Sequence, residues 1–162
     1  MSNLMTKPHS KETTLADAEA RKTLETILGG QRAGVLCTSF MDIPLCSQMA
    51  FAIAQDLRTL IVVTPRQTTK FDNMTANPNV SFLVSTARNE PTDPVSAQAV
   101  TVTAFATELD AERKHQAVTL FSQRHPNLSA FAAAPDSAVM ELKVDSYQLV
   151  NNFQQLTHIG LG

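Results

Sequence analysis

The sequence has no run of basic residues and no Lys/Arg stripe. Its 13 Lys and Arg and 15 Asp and Glu are scattered along 162 residues, giving a formal net charge of -2. Nucleic acid is therefore not an expected partner, because binding a phosphate backbone needs clustered positive charge. No apolar stretch approaches the ~20 residues that cross a bilayer, so no membrane partner is expected either. The first eleven residues are polar and lack the apolar block of a secretory signal, and the expected location is the cytoplasm. Cysteine is scarce: Cys37 and Cys46 stand at a spacing that matches no zinc or redox motif. If Met41 and Asp42 form a hairpin tip, the two face each other on neighbouring strands. A disulfide is then geometrically open, and two free buried thiols are the favoured reading for a cytosolic chain. A Gly-x-Ser-x-Gly element, a histidine-rich metal motif and a convincing pair of acids for general acid–base work are all missing, so no metal is expected and no catalytic residue can be named.

What is present reads as one β-rich domain, since the length suffices for one core and falls short of two. Residues 1–12 are expected to be a flexible tail and residues 13–162 the domain. A helix follows the tail, capped by Thr13 or Thr14, with Leu15, Ala18, Leu24, Ile27 and Leu28 on one face. Gly29 and Gly30 are expected to end it through the left-handed cap conformation. Strands are expected over 33–40, 44–55 and 59–64, joined by turn signals, which is the pattern of a β-meander. A short helix over 68–76 stops at Asn77 and Pro78, a strand spans 80–85, and 88–96 is a loop. Residues 100–107 alternate cleanly between apolar and polar. Asp110 opens a helix limited by Pro126, one or two helical turns follow over 127–134, and residues 140–153 alternate again. Six or seven strands adjacent in sequence imply an antiparallel sheet, which hides its edges best by curling into a barrel. Phe51, Phe71, Phe82, Phe105, Phe121, Phe131 and the methionines read as core.

The most informative stretch lies between the strand over 59–64 and the helix over 68–76. A strand ending in hydroxyls that runs into a helix N-terminus makes an anion site, because free backbone N–H groups point outward and the helix dipole favours negative charge. Thr64 and Thr68 add hydroxyl donors, and Lys70 and Arg66 add full positive charge. These residue types suit a terminal phosphate without the glycines of a P-loop. The plainer alternative is that Thr68 merely caps the helix and Lys70 is solvated; spacing alone favours it, because capping threonines are common.

In the segment 64–80, Thr64, Thr68, Lys70, Asn73, Met74, Asn77, Pro78 and Val80 stand in the pattern T-x-x-x-S-x-K-x-x-N-L-x-x-N-P-x-V. In the preceding hairpin, Cys37, Thr38, Pro44, Leu45, Cys46 and Ser47 stand in the pattern T…G-x-P…S, with Ile43 at the glycine. With these residues the chain resembles the FMN-binding split β-barrel family related to pyridoxamine 5'-phosphate oxidase, over roughly residues 33–159. The resemblance implies a mainly β (α+β) fold, a six- to seven-stranded antiparallel split β-barrel with flanking helices. It further implies FMN as cofactor in a site shared by two subunits of a homodimer. The phosphate falls to Thr64, Thr68 and Lys70, with Thr69 at a position often held by Arg, so that Arg66 supplies the missing charge. Ser47, Gln48, Met49 and Ala50 match the strand that lines the isoalloxazine ring. Gln98, near the start of the strand over 97–108, matches a polar residue that reaches the flavin.

The chain also carries four histidines. His9 lies in the tail, His115 on an exposed helix face, and His125 near a helix end where a cation suits the dipole. His158, near the C-terminus, is the candidate ligand if the barrel holds haem. The leading expectation is an FMN-dependent oxidoreductase acting on a small-molecule substrate with an electron donor such as NAD(P)H. The alternatives are a non-catalytic flavin carrier or sensor and a haem-binding split-barrel protein. Residues 155–162 contain neither the Arg-x-His nor the Arg-Leu-x-Pro element that binds substrate in the oxidases themselves. The resemblance therefore implies a shared cofactor site and not a shared substrate.

Overall fold

The run Leu60-Ile61-Val62-Val63-Thr64 is buried at every position, with no polar alternation. Such a run demands cover on both faces of its strand, and the fold is arranged to give it. The computed structural model describes residues 10–151 and 154–162. The strands are β1 (Ser10–Thr14), β2 (Ala33–Phe40), β3 (Ile43–Ala50), β4 (Ala52–Ile53), β5 (Thr59–Pro65), β6 (Asn79–Ser85), β7 (Ala99–Glu108), β8 (Ser137–Asn151) and β9 (Gln155–Gly160). The helices are α1 (Ala18–Gly30), α2 (Thr69–Ala76), α3 (Asp93–Ser96), α4 (Ala111–Arg124) and α5 (Ser129–Ala133), with a 3-10 turn over Pro126–Leu128.

One face of β5 (Leu60, Val62) joins the main core with Leu24, Leu28, Phe51, Phe82 and Tyr147. The other face (Ile61, Val63) joins a second cluster with Leu109, Ala117, Phe121 and Ala132 beneath α4 and α5. The sheet runs β1-β9-β8-β7-β6-β2-β3, with β5 paired to β8 and β4 to β5. The 15 residues of β8 explain the split. One edge pairs with β7 along almost its whole length, while the other pairs first with β5 and then with β9. Asp145 is the extra residue of a bulge opposite Thr103 and Ala104, which bends the strand where its partner changes.

The split β-barrel expected from the sequence is therefore present, as a mixed sheet of nine strands rather than a purely antiparallel one of six or seven. β1 runs parallel to β9, pairing Ser10 with Leu156 and Thr14 with Gly160. This corrects the expected tail, since Ser10 to Glu12 lie in a strand. It also corrects the first cap: Thr13 and Thr14 are used by β1, and the Asp17 carboxylate accepts from Glu19 N and Ala20 N instead. Gly29 and Gly30 do not take the left-handed conformation; they are the last helical residues of α1. The free carbonyls there are met by Arg124, whose guanidinium donates to Gly29 O and Gln31 O at 2.5 and 2.6 Å. A short helix, α3, interrupts the expected loop over 88–96. Phe105 and Met41, read as core, are exposed. His9 and Phe153 lie outside the described residues.

Two local features fix the barrel. Gly34 lies so close to β6 that a Cβ there would meet Leu83 O at 2.6 Å and the Phe82 ring closer still, so only glycine fits. Tyr147 is 1 % exposed and donates to Leu57 O at 2.6 Å; burial, with Asp56 nearby, pushes its phenol well above the ordinary value. Among the described residues no helix is long and apolar enough to cross a membrane.

Candidate functional site

After Ala50 the chain bends: among the described residues β3 has no strand on its outer edge, while β4 crosses to pair with β5. A cavity of about 220 Å³ opens beside this bend. Gln48, Met49 and Ala50 line it from β3, Val63, Thr64 and Pro65 from β5, and Lys70 from α2. Phe121 of α4, Leu128 and Phe131 close it with apolar surface. Five of the ten site residues expected from the sequence thus meet in one place.

The β5–α2 corner is built by its threonines. Thr64, 1 % exposed, places its hydroxyl 3.1 Å from that of Thr68. Thr68 Oγ1 donates to Pro65 O at 2.9 Å and accepts from Phe71 N at 3.3 Å, which makes it the N-cap of α2. The first N–H groups of α2, at Thr69 and Lys70, have no intrahelical acceptor and carry the positive end of the helix dipole. The ammonium of Lys70 makes no hydrogen bond or ion pair among the described residues. The cap reading of Thr68 holds, and it leaves the N–H groups of Thr69 and Lys70 open to an anion.

The two asparagines of the motif have a structural task. Asn73, 7 % exposed, donates from Nδ2 to Thr38 Oγ1 at 3.0 Å, and Asn77 donates from Nδ2 to Ser39 Oγ at 3.1 Å. They tie α2 to β2 and so hold the helix N-terminus against the barrel. His125 does similar work behind the cavity: it is buried, and its Nε2 lies 2.7 Å from Phe51 O, one residue beyond Ala50. Its ring rests on Phe121 at 4.9 Å. His125 thus stands at the end of α4, as the sequence placed it, with its ring holding the β3–β4 bend.

Other expected residues fall elsewhere. Arg66 is paired with Glu108 and donates from Nη1 to Pro135 O at 2.7 Å, so its charge is committed away from the cavity. Gln98 sits beside Glu19, Lys22, Thr23 and Thr26 on a different surface. Ser47 precedes the lining residues on β3, and Thr69 opens α2; neither side chain lines the cavity. His115 and His158 are exposed. Phe121, Leu128 and Phe131 were missed as lining residues, because their helices lie between β7 and β8 and only the tertiary fold returns them to β5. Among the described residues no three His, Cys, Asp or Glu side chains are placed to hold a metal ion.

The family model of pyridoxamine 5'-phosphate oxidase matches residues 20–151. No curated protein matches the sequence. Among solved structures the chain is similar to a heme binding protein from Mycobacterium smegmatis, with a TM-score of 0.77, 16% identity, and coverage of 87% of this chain and 57% of that one. It is similar to ChuZ of Campylobacter jejuni, with a TM-score of 0.76, 17% identity, and coverage of 88% and 60%. It is also similar to a FAD-binding protein from Mesorhizobium loti, with a TM-score of 0.63, 19% identity, and coverage of 82% and 90%. At these identities the likeness is one of fold, and the chain spans less than two thirds of the first two proteins.

Proposed function

Since the chain belongs to the pyridoxamine 5'-phosphate oxidase family, we propose that it is a flavoprotein holding FMN at the β3–β5 cavity of a homodimer and acting as an oxidoreductase. The observation that carries this reading is Lys70, an uncommitted cation at the first turn of α2 that lines a cavity with Thr64 and Gln48. Such a site fits a phosphate: the N–H groups of Thr69 and Lys70, the Thr68 hydroxyl and the Lys70 ammonium are donors of the right sign and kind. The unpaired edge of β3 offers backbone N–H and C=O groups to the rim of a flat heterocycle, and Met49, Phe121 and Phe131 offer it apolar surface. Arg66 plays no part in holding the phosphate.

Size supports the homodimer. Pockets that bury a small-molecule ligand span about 300–1,000 Å³, and one chain supplies about 220 Å³. A second copy is the natural source of the remaining wall, and Gln98, remote from the cavity of its own chain, is the candidate to line the partner's. When bound, FMN supplies hydride transfer between a donor such as NAD(P)H and a small-molecule acceptor. The residues of the chain bind and orient it; Lys70 is the one ionisable side chain among the lining residues, and it serves the phosphate.

The test is an absorption spectrum of the full chain before and after adding FMN and, separately, haem, with sedimentation of each sample. The reading predicts flavin bands that stay with the protein through gel filtration, a dimer at micromolar concentration, and bleaching by NADH or NADPH. A retained flavin that no donor reduces would leave a carrier or sensor. Uptake of haem alone, or of neither group, would overturn the flavin reading.

A further inference from the structure

We infer that Cys37 and Cys46 form a reversible dithiol–disulfide pair on the outer face of the β2–β3 hairpin, closed by exchange with a small-molecule disulfide. Met41 and Asp42 make the two-residue turn, with φ of 50° and 62°, so Phe40 and Ile43 are the first cross-strand pair. Such a turn makes that first pair hydrogen-bonded, and bonded and non-bonded pairs then alternate. Pro44, which has no N–H to give, falls opposite Ser39 in a non-bonded pair, as the alternation requires. Two positions on, Cys37 and Cys46 are opposite each other in another non-bonded pair. There the Cα atoms approach to about 4.5 Å, within the range a disulfide spans. The two sulfurs are already 3.5 Å apart, and both thiols are free.

The expectation of two buried thiols is corrected in a way that matters: Cys37 is half-buried and Cys46 is exposed. Ser81 lies beside Cys37 on β6, and Thr103 beside Ser81 on β7. With Ser39 and Pro44 these small side chains border an open groove of about 350 Å³ on the Cys37 side of the pair, while Cys46 is open to solvent. Cys46, the exposed one of the two, is the entering nucleophile, while burial and the contact with Cys46 hold the Cys37 thiol above its usual range. The Cys46 thiolate attacks one sulfur of RS–SR, forming a Cys46–SR mixed disulfide and releasing RS⁻. Cys37 Sγ then attacks Cys46 Sγ, breaking that bond and releasing the second RS⁻. The two cysteines lose two electrons and two protons, and RS–SR becomes two RSH. The bond would clamp β2 to β3 immediately before Gln48, Met49 and Ala50. It does not depend on what occupies the cavity.

The full chain is equilibrated in glutathione buffers from fully reduced to fully oxidised, quenched in acid, alkylated and weighed intact, with a non-reducing gel alongside. The wild type should pass from two alkylated thiols to none, as a monomer on the gel and lighter by two hydrogens, and return with dithiothreitol. C37S should accumulate a glutathione adduct on Cys46 that persists at least tenfold longer than any adduct on the wild type. Two alkylatable thiols in the most oxidising buffer, a stable mixed disulfide on the wild type, or an intermolecular crosslink would each overturn the assignment.

Discussion

Arg66 and Lys70 stand four residues apart at one corner of the barrel, and the fold treats their charges in opposite ways. Arg66 is spent on Glu108 and the Pro135 carbonyl, an exposed arrangement that fastens the end of β5 to the last residue of β7 and to the segment before β8. Lys70 has no partner among the described residues and faces a cavity whose other walls are uncharged. In the proposed reading the first cation is structural and the second is left for the phosphate of the cofactor. The same contrast separates Asn73, whose buried amide is committed to Thr38, from the N–H groups of Thr69 and Lys70, which have no acceptor among the described residues.

The sharpest way to break this comparison is Lys70→Ala. It should weaken FMN binding by about 1.5–3 kcal/mol, the usual worth of a hydrogen bond to a charged group, with the melting temperature of the free protein unchanged; fluorescence titration and calorimetry read the two quantities. Asn73→Ala should do the reverse. It strands a buried hydroxyl and should cost about 1–3 kcal/mol of folding stability in a urea titration, with any loss of FMN affinity following from the displaced helix. Arg66→Ala should cost at most about 1 kcal/mol of stability, as an exposed pair with 40% and 33% side-chain exposure does, and should leave FMN affinity intact. The smallest effect concerns Asp17. Backbone N–H donors from Ala20 and the Thr13 hydroxyl hold its carboxyl below the ordinary 3.8. Its folded value lies below the unfolded one, so its contribution is complete above about pH 4 and is lost as pH falls through the lower folded value. Asp17→Asn, which caps nearly as well, should therefore differ from the wild type at neutral pH and converge on it in acid.

What could be read in advance was what is decided locally. The hydroxyls of Thr64 and Thr68 and the stop at Asn77 and Pro78 place β5 and α2 within a residue, and Asp110 caps α4 as expected. The Met41–Asp42 turn fixes the register of β2 and β3 and so brings the cysteines together. Missed features depend on distant partners. Thr13 and Thr14 looked like caps because nothing nearby shows that β9, about 145 residues on, takes them as a strand. Gly29 and Gly30 looked like a left-handed stop because Arg124, 95 residues away from Gly29, satisfies those carbonyls instead. Arg66 looked free because Glu108 is 42 residues further along. The apolar wall formed by Phe121, Leu128 and Phe131 carries the pattern of ordinary core residues, and only the return of α4 and α5 onto β5 turns them toward the cavity.

The most direct test of the central claim compares FMN with riboflavin, which lacks the phosphate, on the wild type and on Lys70→Ala. If Lys70 is the uncommitted cation that holds the phosphate, Lys70→Ala should weaken FMN binding, loss of the phosphate should weaken it more because the α2 N–H contacts go with it, and riboflavin should bind the wild type and Lys70→Ala about equally. Independent, fully additive losses, or equal affinity of the wild type for the two flavins, would contradict the account.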